Sequence, residues 1–207
     1  MQFLQRSRLT NQLATYYAGC CDGDWEHEFG VKLAGFGSSW HMIIDTPCSQ
    51  DYTDLRAFES LDIPPHTVRE KDGAIFGSCE AGSLCELIHA MLRKAEEIAG
   101  NPSVLPDSPT GDDRLRVLDA WCAANQSTDD RYPRLVLGTL DNPGWTLSVE
   151  LAGTGLHPQN VQESKSNTDS NDAWMVVQSH ESTYRSFGGP KVLDQMLSAF
   201  LFWARAQ

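Results

Sequence analysis

At 207 residues the chain is long for one small domain and ample for two of roughly 100 residues each. Sixteen basic against 28 acidic side chains leave a net charge of −12, which argues against direct nucleic-acid binding, because phosphates need a basic face, and favours a basic protein partner. No run of eighteen apolar residues occurs, and the amino end MQFLQRSRLT has two arginines but no following apolar core of signal-peptide length, so the chain is expected to be cytoplasmic, away from membranes.

The first element expected is a short helix carrying Leu9, Leu13, Tyr16 and Tyr17 on one side. Directly after it, CCDGDWEHEFG places the carboxylates of Asp22, Asp24, Glu26 and Glu28 beside Trp25 and the imidazole of His27, the densest concentration of chemistry in the chain. Its alternating acids resemble a calcium loop. The glycine for the sharp turn at the sixth loop position and the closing glutamate at the twelfth are missing. General acid and base work by His27 with Glu26 or Glu28 would need a pocket and an orienting group, neither of which a linear cluster shows. The remaining readings are a solvated acidic loop running into a strand, and an acidic loop with an aromatic anchor that docks on a basic protein surface.

GVKLA and WHMIID then predict a hairpin, and TVREKDGAIFG a second strand pair. Leu84, Leu87, Ile88, Met91 and Leu92 follow the spacing of an amphipathic helix, with Ser83 and Glu86 placed as a capping box. The stretch GNPSVLPDSPTGDD, with three prolines, two glycines and three aspartates, reads as a linker.

Beyond the linker the same order returns, as sliding one half along the other by roughly a hundred residues brings out. Leu115, Leu118, Trp121 and Cys122 answer the first helix, and RLVLG with WTLSVEL answers the hairpin, so Trp145 stands where Trp40 does. AWMVVQSHESTYRSFGG answers the second strand pair, with Tyr184 and Ser186 in the places of Ile75 and Gly77. Leu193, Met196, Leu197, Phe200 and Leu201 answer the closing helix, with Pro190 at its first position. The polar stretch TGLHPQNVQESKSNTDSND is expected to stay mobile. The expected class is therefore α+β: two tandem units, 1–99 and 114–207, joined by the linker 100–113, each a helix, antiparallel hairpins and a helix. Whether the two units share one sheet is left open by the pattern.

Both tryptophans are expected to pack between sheet and helix, each indole N–H finding an acceptor. In TLDNPGW, Pro143 and Gly144 suit the central positions of a type II turn. The six cysteines show no CxxC pairing and read as free thiols, and His41, His66, His89, His157 and His180 are scattered singly. Dinucleotide, phosphate-loop, zinc-protease and serine-hydrolase motifs are all missing.

YYAGCCDGDWEHEFGVKL, TLDNPGWTLSVELAGTGL, NDAWMVV, FGGP and LSAFLFWA together resemble the immunity protein 53 family of polymorphic toxin systems. Tyr17, Cys21 to His27 and Gly30 match its first motif, Leu140 to Trp145 its second, and Gly188, Gly189, Pro190, Phe200, Trp203 and Ala204 its third. Within each half the likeness is incomplete, since STDDRYP stands in place of CDGDWEH and GFGSSW, one residue shorter, in place of TLDNPGW. The resemblance implies an antidote, without enzymatic activity or cofactor, that binds a cognate toxin domain and blocks its active site. It also implies that the toxin is a protein partner, often basic and directed at nucleic acids. On that reading the partner-binding residues are Asp22, Asp24, Trp25, Glu26, His27 and Glu28, and the chain is a monomer with internal pseudo-symmetry. The alternatives are a small metal-dependent hydrolase using Asp22, Asp24 and His27 as ligands, and a duplicated interaction module without a toxin partner.

Overall fold

A computed structural model describes residues 8–21, 30–45, 64–100, 113–126, 132–161 and 163–206. The helices are α1 (Arg8–Cys20), α2 (Leu84–Ile98), α3 (Asp113–Ala124) and α4 (Leu193–Arg205). The strands are β1 (Val31–Gly35), β2 (Ser39–Asp45), β3 (Thr67–Lys71), β4 (Ala74–Glu80), β5 (Leu135–Thr139), β6 (Trp145–Glu150), β7 (Ser164–Ser166), β8 (Met175–His180) and β9 (Thr183–Gly188). The class is α+β, as the pattern predicts. The nine strands among the described residues belong to one antiparallel sheet in the order β3-β4-β2-β1-β5-β6-β9-β8-β7.

That order settles what the sequence left open, for the sheet is continuous across the middle of the chain. Read outward from the central pair, it runs β1, β2, β4, β3 on one side and β5, β6, β9, β8 on the other, with β7 added at one edge. The registers agree as well. Leu33 pairs with Leu137 at the centre, Met42 pairs with Leu33 and Gly77, and Leu147 pairs with Leu137 and Ser186. Residues that the sequence pattern aligns thus meet at the middle of an antiparallel pair, a placement compatible with a local twofold axis normal to the sheet.

The helical periodicities explain the layer that covers one sheet face. In α1 the residues Leu9, Leu13 and Tyr17 are buried and Tyr16 half-buried; in α3 Leu115, Leu118 and Cys122 are buried and Trp121 half-buried. Both follow the three-and-four spacing read from the sequence. The α1 helix packs on α2 and α4, and α3 packs on α4 and α2, so each short helix touches the long helix of both halves. The buried side chains accordingly form one contiguous core drawn from both halves. The outer face of the sheet differs from side to side: Ala34, Ile43 and Phe76 are buried, whereas Thr146, Ser148 and Arg185 are half-exposed.

Four local expectations are corrected. Ser83 makes no side-chain cap on α2; the carboxylate of Asp119, on α3, accepts the backbone N–H groups of Gly82 and Leu84 instead. A carboxylate at a helix N-terminus satisfies groups the helix leaves bare and complements its dipole. Pro190 does not open α4, which starts at Leu193 with Val192 at its cap. Gly144 is not among the positive-φ glycines, so TLDNPGW is no type II turn; the loop is closed by Leu140 N–H donating to Gly144 O at 3.0 Å. The polar stretch expected to be mobile holds a 3-10 turn at Pro158–Asn160 and strand β7, paired to β8.

Candidate partner-binding cleft

The acidic string singled out by the sequence, Asp22, Asp24, Trp25, Glu26, His27 and Glu28, lies outside the described residues, and so does the Asp22, Asp24 and His27 metal reading. Its approach is described. The α1 helix ends at Cys20, and the Cys21 thiol donates to Tyr17 O one turn back at 3.3 Å. Tyr17 anchors that helix end to the other half of the chain: its hydroxyl accepts the Gly144 N–H at 3.1 Å and donates to Leu140 O at 3.4 Å. Its ring meets Trp145 edge to face, centroids 4.9 Å apart. Aromatic pairs of this geometry add about 0.5–1.5 kcal/mol beyond the area they bury.

Trp145 itself is fully buried and donates from its indole nitrogen to Pro190 O at 3.0 Å. It is the packing residue the sequence predicts, with the acceptor now named. The proline carbonyl belongs to a knot in which three of the strings quoted above interlock. A Cβ on Gly144 would stand 2.5 Å from Gly188 O, and one on Gly189 would run into the Asp172 carbonyl. Glycine is required at both positions by close approach of other backbone, not by φ. Gly189 N–H donates to Trp174 O at 2.9 Å and Lys191 N–H to Asp172 O at 3.2 Å. The 167–174 loop is braced internally by Ser170 Oγ, which accepts from Asp172 N–H and Ala173 N–H.

Between these pieces opens a cleft of about 800 Å3. Ala18 and Cys21 at the end of α1 form one wall, Asn142 and Pro143 of the turn a second, and the loop with Pro190 and Lys191 the rest. Lys191 Nζ and Asp172 Oδ2 form an ion pair at 2.5 Å, so the two charges on the cleft cancel. The acidic string begins one residue beyond Cys21. Hence the end of α1 in one half and the turn and loop of the other, which in sequence are separate strings, contribute to a single recess.

Across the central strand pair the matching described residues make other contacts. Trp40 is buried like Trp145, but its indole nitrogen donates to Asp119 Oδ1 at 2.9 Å. Cys122 stands where Tyr17 does and shares with the Trp40 ring the space above Gly35, where a Cβ would lie 2.6 Å from the ring and 2.9 Å from the sulfur. The turn at Gly37 is backed by Gln126, which would meet an added Cβ at 2.6 Å. Arg134, which directly follows the STDDRYP that stands in place of CDGDWEH, is buried and donates to the carbonyls of Asn125, Gln126, Glu150 and Ala152 at 2.7–3.1 Å. It is a structural strut.

The single histidines and thiols stay outside any reactive grouping among the described residues. Burial holds His41 below its ordinary value, and pushes the Cys122 thiol up to about 11 and the Cys79 thiol to about 12, so both stay protonated and unreactive near neutral pH. Among the described residues no group of three or more His, Cys, Asp or Glu could hold a metal ion, and no helix is long and apolar enough to cross a membrane.

Sequence reasoning did not find the linkage of Tyr17 to Gly144, the Asp119 cap or the cleft residues Asn142 and Asn171. The signal present was the clustering of the strings TLDNPGW, NDAW and GGP in one half; that they meet the end of α1 depends on tertiary contacts alone. No curated protein and no solved structure matches the chain. The model of one family, immunity protein 53, does match, over residues 115–205. The matched residues supply the turn, the loop and the GGP corner of the cleft and are similar to the immunity protein 53 family over that span.

Proposed function

We propose that the chain is an antitoxin that binds a cognate toxin domain and covers its active site, acting by association and not by turnover. The observation that carries this reading is the family match across the half that builds most of the cleft. The net charge of −12 supports it, since an acidic surface raises the rate at which a basic, nucleic-acid-directed toxin is met, and capture must outrun damage. The acids Asp22, Asp24, Glu26 and Glu28 stand in for phosphate charge, with Trp25 as the anchor and His27 within the same surface. The chain works in the cytoplasm as a monomer. We read it as two divergent copies, 1–99 and 114–207, of one unit; the mirrored strand order and the shared registers support that reading.

The test reverses Asp24 and Glu26 to lysine together and measures binding of the toxin domain encoded beside this gene, its chemistry inactivated. Binding is expected to be abolished while the melting temperature stays near wild type. Undiminished binding by the double reversal removes the acidic surface from the account.

A further inference from the structure

We infer that the cleft beside Tyr17 receives an extended, uncharged stretch of polypeptide from the toxin, that both halves of the chain build this site, and that each chain has one such site. The identity of the partner rests on the antitoxin reading; the chemistry of the site rests on its walls. Those walls are pre-organised. The Tyr17 hydroxyl fixes the turn, the Trp145 indole fixes Pro190, and the 167–174 loop is locked to the corner at Gly189 and Lys191 by backbone bonds. A site held in this way loses little freedom on binding, which is where much of an interface's affinity is otherwise spent.

The lining determines the occupant. Asn142 and Asn171 are exposed and make no side-chain hydrogen bond to any described residue, and each carboxamide offers a donor and an acceptor together, the same pair that a peptide group presents. Beside them Pro143, Pro190 and Trp174 provide apolar surface for an intervening side chain. The charged lining residues, Asp172 and Lys191, pair with each other, so the lining carries no net charge that would favour a charged group. A volume of about 800 Å3 suits a few residues of extended chain and lies within the usual range of binding clefts. The count of one is drawn from the described residues opposite, where Gln126 packs against the turn at Gly37 and Asp119 accepts the Trp40 indole N–H.

The full-length chain is mixed with the inactivated toxin domain from the neighbouring gene, and stoichiometry is read by sedimentation and rates by surface binding. A 1:1 complex is expected. Asn142→Ala with Asn171→Ala should raise the dissociation rate at least tenfold, leave the association rate and its salt dependence unchanged, and leave the melting temperature near wild type, since both side chains are exposed. The acidic double reversal should do the opposite, slowing association and flattening its salt dependence. A dissociation rate within twofold of wild type in the asparagine variant, or two toxins per chain, overturns the cleft assignment while the antitoxin reading stands. If the unaltered chain fails to bind that toxin domain, the antitoxin reading falls and this assignment falls with it.

Discussion

The two long helices begin at equivalent places on either side of the central strand pair, yet the groups around their first turns are satisfied by different means. Before α2, one carboxylate, Asp119 from the short helix of the other half, accepts from Trp40, Gly82 and Leu84 together. Before α4, backbone carbonyls do this work: Pro190 O takes the Trp145 indole and Asp172 O takes the Lys191 N–H. The position in α1 that corresponds to Asp119 is Ala14, and Ala18 one turn on lines the cleft. On one side a single side chain gathers the donors of its junction. A folded-back loop leaves room in front of itself, and the recess is the consequence.

The largest effect is therefore expected at Asp119. Asp119→Ala leaves a buried indole N–H and two backbone N–H groups without acceptors, and removing one partner of a buried hydrogen-bonded network costs about 3–5 kcal/mol, so a loss of about 4 kcal/mol in stability is expected by chemical denaturation. Ala14→Ser, at the corresponding place, should leave stability within about 1 kcal/mol, and an equal loss there would mean that the two junctions do not differ as described.

A smaller effect is expected at the open junction. Tyr17→Phe keeps the ring against Trp145 but removes the acceptor for the buried Gly144 N–H, at a cost of about 1–3 kcal/mol. Amide exchange at Gly144 should speed up more than at Gly37, on the Asp119 side. The smallest effect separates the two outer sheet faces. Burial lowers the His41 pKa, so the unfolded chain takes up a proton first as pH falls through its ordinary value near 6.5, and stability drops from there until the lower folded value is passed. Thr146, which corresponds to His41, has no such proton to bind. His41→Gln should match wild type at pH 8 and exceed it in melting temperature at pH 5; identical pH profiles would show that His41 is not desolvated.

Much of the fold was legible because the periodicities were strong. Leu9, Leu13 and Tyr17, or Leu193, Met196, Leu197 and Phe200, have little choice but to form the inner stripe of a helix, and the hairpins followed from alternation and turn residues. The tryptophans were legible as packing residues for the same reason. What stayed hidden was whatever depended on a contact between the halves. Gly144 looked like a turn glycine, whereas its lack of a side chain answers to Gly188 O across the sheet. Asp119 looked like one acid among many, and Ser83 with Glu86 looked like a sufficient cap, because a cap supplied from another helix leaves no local mark. The polar SKS of β7 carries no alternation, and only an edge strand could form from it.

For the site, the sequence pointed to the acids after Cys21 but not to the recess that Cys21 itself lines, since Asn142 and Asn171 lie in separate strings and carry no charge to draw the eye. The central claim is that the open junction, and not the one at Asp119, meets the toxin. Hydrogen exchange of the full chain with and without the inactivated toxin domain tests it directly. Protection is expected at the end of α1, at 140–144 and at 167–174, with the 36–39 turn and the end of α3 unchanged. Protection centred on the 36–39 turn, or absent from 140–144, would contradict the account.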